Sequence, residues 1–533
     1  MVGILGLLAS LAQAAAVFPR GSTSTISTPH GSITGLSSSA GTRFTVPYAR
    51  PPIGTRRMTA PVEVKHFSFL RRSYRRSRVN RRYDGTGLPK ACPQLQMDPS
   101  EYSEDCLYFT VYSPPTANLH SRLPVLFWIH GGSFHQGQSA GLDGAALAKS
   151  QNMVVVVVQY RLGILGWLNF DKYRLDGNNG LRDVIMALQF VKSDIAAYGG
   201  DASRVTLAGQ SSGAEIIKTL LVTPSAAPLF ARAILQSAPL DTVDQPRDVA
   251  NQVGQYVITD LKCRNWRCLQ TTGLDALLVT QDKLVTASNL QQLGIPGVAQ
   301  AEPLRVMVDG SLVPRDFREI VSAAGKVASD KEILFSTVKD EGCLAISTIA
   351  DGPLPAAYFP ALVQQAFTSR ADTILSSGLY DPSLLAGDED AVRNQLVRLV
   401  TDFTWVCPNK QAATSLSASQ KVYLAEFDLG VSYLNGAVDF CKGRVDHQDD
   451  IFTLFTSPYP LSATQKALSA EVQARWAAFA RNGSPNTPTY FGWYTVSAAK
   501  NELDVIVLGA DSKGNSVMKK DQRNQECAIY SFA

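Results

Sequence analysis

Short apolar runs and longer stretches with a helical apolar period take turns along this chain. The runs are Leu123 to Ile129, Val154 to Tyr160, Arg204 to Ala208, Ala231 to Gln236, Glu332 to Val338 and Val422 to Phe427. Each has strand length, and the five consecutive valines from Val154 to Val158 suit a strand covered on both faces. Between them lie helical stretches such as Leu181 to Ala197, with apolar residues at Val184, Leu188 and Val191. Strand and helix in alternation predict an α/β architecture: a large, mostly parallel central sheet with helices on both faces. No internal repeat or long low-complexity linker interrupts the pattern, so residues 17–533 are expected to form a single domain.

The first sixteen residues break the pattern. Met1 to Ala16 has an apolar middle and Ala-x-Ala sites ending at Ala14 and Ala16, which predicts a secretory signal peptide over 1–16. The run is too short to span a bilayer, and no later stretch reaches the roughly 18 apolar residues needed. Secretion without membrane insertion is the expectation. Eight cysteines in an exported chain point to disulfides, because the extracellular space is oxidising. No histidine stands where it would complete a zinc set with them, so no metal is expected. Asn482-Gly-Ser484 is a glycosylation sequon.

Composition changes one more thing. The formal charge is +4, yet Arg71, Arg72, Arg75, Arg76, Arg78, Arg81 and Arg82 lie in a stretch without acids, and without them the balance turns to −3. The segment 69–82 is a local basic patch lacking any nucleic-acid-binding fold around it, so no nucleic-acid partner is expected. It reads as a solvated loop or as an error in the gene structure.

The chemistry centres on Gly209-Gln-Ser-Ser-Gly213, which follows a strand and precedes a helical run from Ala214 to Leu221. A Gly-x-Ser-x-Gly in that context is a nucleophile elbow, and it makes Ser211 the candidate nucleophile. A serine hydroxyl needs a base at neutral pH. Folds carrying this elbow order their residues as serine, acid, histidine. Of His30, His66, His120, His130, His135 and His447, His447 alone follows Ser211. The acid is harder to choose. Lys339-Asp-Glu-Gly342 sits just past a predicted strand, at the edge where open α/β sheets collect their sites, and the residues alone leave Asp340 and Glu341 open. His130-Gly-Gly-Ser133 follows another strand. Its amides and the N–H of Ser212 would form an oxyanion hole.

These motifs, with Val46-Pro-Tyr-Ala-Arg-Pro-Pro-Ile-Gly54, Ser103-Glu-Asp-Cys-Leu107, Tyr160-Arg-Leu-Gly163, Gly177-Asn-Asn-Gly-Leu-Arg-Asp183, Tyr198-Gly-Gly-Asp-Ala-Ser-Arg-Val205 and Trp476-Ala-Ala-Phe-Ala-Arg-Asn-Gly-Ser-Pro-Asn486, give a chain that resembles the type-B carboxylesterase/lipase family, which includes the cholinesterases and secreted fungal esterases. The resemblance runs nearly end to end. It implies an α/β-hydrolase fold and cofactor-free ester hydrolysis, with Ser211, Glu341 and His447 as the triad and Gly132, Ser133 and Ser212 as oxyanion donors. It also implies disulfides Cys92–Cys106 and Cys263–Cys268; for the remaining cysteines Cys407–Cys441 is the expected pair. Ser133 stands where many members have a third glycine, Ser212 where alanine is usual, and Gln448 where glycine is frequent.

The loop between Cys92 and Cys106 encloses thirteen residues, among them Gln94, Gln96, Asp98, Glu101, Glu104 and Asp105. In lipid-active relatives this loop is a long apolar lid. A short polar loop predicts an esterase for soluble or modest-chain esters, ahead of a triacylglycerol or sterol-ester lipase or an acyltransferase using the same triad. A non-catalytic adhesion-type member is less consistent with an intact triad.

Overall fold

The structure, a computed structural model, describes residues 21–67, 82–289, 292–295, 302–323, 331–434, 437–455, 457, 459–497, 503–511, 513–520 and 522–531. The expected signal peptide and all of the arginine-rich segment except Arg82 lie outside the described residues.

Among the described residues the fold is organised around a thirteen-stranded sheet. Its strands are β1 (Ser22–Thr28), β2 (Gly31–Ser38), β3 (Gly41–Pro47), β4 (Arg82–Asp84), β5 (Tyr108–Ser113), β6 (Leu123–Ile129), β7 (Val154–Val158), β8 (Gly200–Gln210), β9 (Arg232–Gln236), β10 (Glu332–Val338), β11 (Val422–Phe427), β12 (Asp504–Leu508) and β13 (Val517–Lys520). The spatial order is β1-β2-β3-β5-β7-β6-β8-β9-β10-β11-β12-β13, with β4 beside β2. From β7 to β12 every neighbour is parallel. Antiparallel pairs finish both flanks.

Side chains alternate across the central strands, and the two faces bury separate cores. Val154, Val156 and Val158 of β7, Val205 and Leu207 of β8 and Leu235 of β9 pack on one face. That face is covered by α1 (Asn179–Asp194) and α2 (Ser212–Val222). Val155 and Val157, with Trp128 of β6 and Ile234, face the other way. A valine run therefore serves both layers, as strand periodicity requires.

Further along lie α3 (Cys343–Ile349), α4 (Ala391–Val400), α5 (Cys407–Leu416), α6 (Asp449–Leu454), α7 (Ala463–Asn482) and α8 (Asn524–Ala528). Leu468, Val472, Trp476 and Phe479 of α7 complete the second core. α7 begins with a reciprocal cap, in which Ser462 Oγ accepts from Gln465 N and Gln465 Oε1 accepts from Ser462 N. It ends at Asn482, an exposed position. A third apolar cluster stands off the sheet, where Ile346 of α3 and Leu396 and Leu399 of α4 meet Phe367, Phe403 and Tyr530. No helix among the described residues is long and apolar enough to cross a membrane.

Four disulfides join Cys92–Cys106, Cys263–Cys268, Cys343–Cys441 and Cys407–Cys527. The expected Cys407–Cys441 bond is thereby corrected. Cys407 opens α5 and meets α8, whereas Cys441 lies beside the first residue of α3. Separations of 98 and 120 residues set these pairings by tertiary approach, which spacing does not encode.

Candidate functional site

Ser211 stands between β8 and α2 with φ 56° and ψ −128°. A residue with a Cβ rarely adopts such angles, and they persist here because the flanking elements leave no alternative. The neighbouring glycines show why. A Cβ on Gly213 would come within 2.2 Å of Ile129 O and 2.7 Å of His130 O, and one on Gly209 within 2.8 Å of Ile129 O. Strand, helix and adjoining loop are thus packed at backbone contact. Ser211 N donates to Gln236 O at 3.0 Å, which ties the elbow to β9.

His447 and Glu341 meet across 106 positions. His447 Nδ1 lies 2.5 Å from Glu341 Oε2, and Glu341 Oε1 accepts from Val338 N at 2.9 Å. Between the two acids that the sequence leaves open, the histidine takes Glu341. Asp340 instead accepts from Val445 N and approaches Arg444 Nη1 at 3.4 Å, clamping the segment that carries the histidine. Burial alone would lower the proton affinity of His447, but the charge and hydrogen bond of Glu341, with Asp450 and Asp446 behind them, raise it above the ordinary histidine value. Gln448 follows at φ 87°, a backbone region open to glycine at little cost.

The Ser211 hydroxyl makes no hydrogen bond to His447 here. Nε2 faces Gln210 Nε2 at 3.1 Å. Serine–base contacts are often loose without substrate and tighten once it binds. Gln210 was not singled out from the sequence, although its place as the residue before Ser211, on the last position of β8, was the available signal. Trp405 is a second residue that the sequence reading missed. It lies in a π-helical turn, Thr401–Val406, half-buried, with its ring 5.4 Å from the His447 imidazole and Nε1 donating to Ser237 O. Such turns bulge a side chain out of helical register and recur at functional sites.

Opposite Ser211, three consecutive residues of the loop after β6 have positive φ: Gly132 at 114°, Ser133 at 50° and Phe134 at 62°. Among the described residues no acceptor takes the N–H of Gly132, Ser133 or Ser212. His130 Nδ1 donates to Gly131 O and His135 Nδ1 to Ser133 O, both within the loop. Burial holds both histidines' pKa near 4, so they stay neutral and add no charge at neutral pH. Further back, Asp450 accepts from Gln236 Nε2 and Ser237 Oγ. Burial, then the Glu341 charge, push its pKa up to about 6.

The chain shares this architecture with known proteins. A model of the carboxylesterase family matches residues 22–530. Carboxylesterase 1D of Mus musculus is 30% identical over 475 residues, covering 83% of this chain and 81% of that protein. Cocaine esterase of Oryctolagus cuniculus is 28% identical over 474 residues and 84% of each chain. A solved structure of PNB esterase superposes with a TM-score of 0.77 at 24% identity, covering 96% of this chain and 100% of that one. A match that takes in almost every described element, sheet and elbow alike, places the chain in the carboxylesterase family: it is a carboxylic ester hydrolase of the α/β-hydrolase fold.

Proposed function

We propose that the chain hydrolyses small-molecule esters of soluble or modest-chain acids through a Ser211–His447–Glu341 triad and an acyl-enzyme. The observation that carries this reading is the His447 Nδ1–Glu341 Oε2 hydrogen bond, which turns Nε2 towards the elbow that bears Ser211. His447 takes the Ser211 proton as Oγ attacks the ester carbonyl. The amides of Gly132, Ser133 and Ser212 receive the oxyanion, His447 protonates the leaving alcohol, and water repeats the sequence on the acyl-enzyme. No cofactor enters this chemistry.

The preference for soluble esters rests on the Cys92–Cys106 loop. Gln94 Nε2 donates to Gly137 O and Gln94 Oε1 accepts from Gly137 N, both at 2.9 Å. Arg57 joins Glu104 to the carbonyl of Thr272. A loop latched at both ends does not swing open as a lid would. Export of residues 17–533 as one catalytic unit, with a glycan on exposed Asn482, fits four disulfides.

Fluorophosphonate labelling with peptide mapping, followed by an ester panel of increasing acyl length, tests the proposal. Label on Ser211 and falling rates on emulsified long-chain triglyceride are expected. A rate jump at the emulsion would make the chain a lipase, and label elsewhere would remove Ser211 from its role.

A further inference from the structure

Gln210 closes β8, one position before the strained serine, and its side chain is buried against the Gly-Gly loop. Gly131 leaves the room for it. A Cβ at Gly131 would come within 2.6 Å of Gln210 O and 3.0 Å of Gln210 Oε1, so a side chain there would push the carboxamide aside. Unlike Gly132, Gly131 does not have a positive φ. What it supplies is space for the glutamine.

The other end of the carboxamide reaches the imidazole, with Gln210 Nε2 lying 3.1 Å from His447 Nε2. Its direction follows from the ring's other nitrogen. His447 Nδ1 faces the carboxylate oxygen of Glu341 at 2.5 Å, an acceptor, so Nδ1 carries the proton and Nε2 of the neutral ring offers a lone pair. A lone pair takes the NH2 end of an amide and rejects its oxygen, so Gln210 donates to His447. The indole of Trp405, tied through Nε1 to Ser237 O, stands 5.4 Å from the ring. The resting imidazole is thereby engaged at both nitrogens and flanked by an aromatic side chain. The Ser211 hydroxyl needs the lone pair that Gln210 occupies, and one ring nitrogen has a single lone pair to give.

We propose that Gln210 is a positioning residue that caps the base: its amide N–H holds the neutral His447 ring through Nε2 until substrate closes the Ser211–His447 contact, an inference that rests on the triad reading above and deepens it. The exchange involves hydrogen bonds alone. Gln210 N–H···Nε2 gives way to Ser211 O–H···Nε2, and the serine proton then moves to the ring as Oγ attacks.

The cap has two linked consequences. It bonds only the neutral ring, because an imidazolium carries a proton on Nε2 and would meet the amide as donor against donor. It therefore opposes the rise in proton affinity that Glu341, Asp450 and Asp446 bring about. It must also break before the ring can accept from Ser211. One bond does both, so both effects have one size. Without the cap, kcat/KM on the neutral plateau rises by some factor, the imidazolium persists to higher pH, and the acid limb moves up by the logarithm of that factor. Well below the limb the two profiles coincide, because the gain in reactivity is cancelled by the smaller fraction of neutral ring. Of the titratable groups around the ring, Glu341 comes from the turn after β10, and Asp446, Asp449 and Asp450 come from the ring's own segment. Asp340 is paired with Arg444, and His130, in the loop beyond Gln210, is kept neutral by burial with a pKa near 4. All of these are common to wild type and variant, so the difference between the two profiles reads the cap.

The test is kcat/KM of the full chain for a short-chain soluble ester from about pH 5 to 9, repeated as the rate of fluorophosphonate inactivation. Gln210→Met fills similar space without a donor. Its plateau is expected about three- to tenfold above wild type, the scale of one hydrogen bond. Its acid limb should lie about half to one pH unit higher, and the two curves should merge at low pH. Gln210→Glu sets at Nε2 a carboxylate that accepts from the imidazolium, and its limb is expected higher still. Should Gln210→Met fail to fold, the limb of Gln210→Glu decides. A plateau at or below wild type in Gln210→Met, curves that stay apart at low pH, or a wild-type limb in Gln210→Glu overturns the inference while Ser211 still labels with fluorophosphonate. A wild-type chain whose Ser211 does not label overturns the triad reading and the inference together.

Discussion

Ser211 and the proposed oxyanion amides sit on neighbouring strands: β6 and β8 run in register from Val125–Val205 to Ile129–Gly209, and the elbow and the Gly-Gly loop leave the same edge of the sheet. Glu341 and His447 lie far apart in the chain and meet through a different kind of construction. An isolated bridge pairs Asp340 with Asp446, Asp340 N donates to Val445 O, and the Cys343–Cys441 disulfide closes the joint behind them. The side that bears Ser211 is rigid because it is the end of a packed sheet. The acid–base side stands at the edge of the third apolar cluster and is rigid because it is stapled. Damage should therefore spread differently on the two sides: local and chemical at the elbow, conformational and shared at the staple.

The largest effect is expected at the elbow. Ser211→Ala should lower kcat by about 10⁴- to 10⁶-fold, the range seen when a triad nucleophile is removed, with an unchanged melting temperature. Activity within tenfold of wild type would detach the strained serine from the chemistry. On the other side, Glu341→Gln should cost about 10³- to 10⁴-fold, as loss of the acid that orients a catalytic histidine does elsewhere. Asp340→Asn should lower stability more than it lowers kcat per folded molecule, because Asp340 clamps Val445 and Arg444. The reverse ranking would exchange the roles of the two acids.

Cutting the staple comes next. The double change Cys343→Ser and Cys441→Ser should destabilise the chain by about 2–5 kcal/mol, since the bond closes a long loop. Thermal melts would read this. If the comparison holds, the loss of kcat in the folded enzyme exceeds that caused by removing Cys263–Cys268, a bond spanning 5 residues away from the acid–base joint. Equal effects on kcat would show that the staple serves stability alone.

The same contrast decides what the sequence disclosed. The elbow and the Gly-Gly loop are contiguous, and their chemistry needs particular small residues at fixed offsets, so both were legible. The valine run reported a strand covered on two sides because side-chain alternation there is purely local. Glu341 was singled out over Asp340 only by family resemblance, since both acids follow the same strand. The pairing of Cys343, Cys407, Cys441 and Cys527 depends on how a long helical excursion folds back, which no local pattern records. Strands β1 to β3 were passed over because Ser22–Thr28 and Gly31–Ser38 are rich in serine and threonine. Their β-branched threonines and isoleucines were the available signal.

The smallest expected effect is a shift of pH profile, and it bears directly on the staple. As the proposed base, His447 must be neutral to accept the Ser211 proton. Burial would favour the neutral ring, but Glu341 outweighs it, with Asp450 and Asp446 adding to the same effect, so the imidazolium persists to higher pH than for an ordinary histidine. The activity is then present above this raised value and is lost as pH falls through it. The acid limb of kcat/KM should accordingly lie above the usual histidine value of about 6.5. Glu341→Gln removes the dominant raising charge and leaves burial in control, so the limb in the residual activity should move to lower pH. Asp450→Asn should move it the same way by less, because that carboxyl acts from behind Gln236 and Ser237 without touching the ring. Ser133→Ala, on the sheet-borne side, should leave the acid limb in place. If Glu341→Gln left the acid limb unmoved, the short His447–Glu341 contact would be geometry without electrostatic consequence, and the acid–base side would owe its function to the elbow alone.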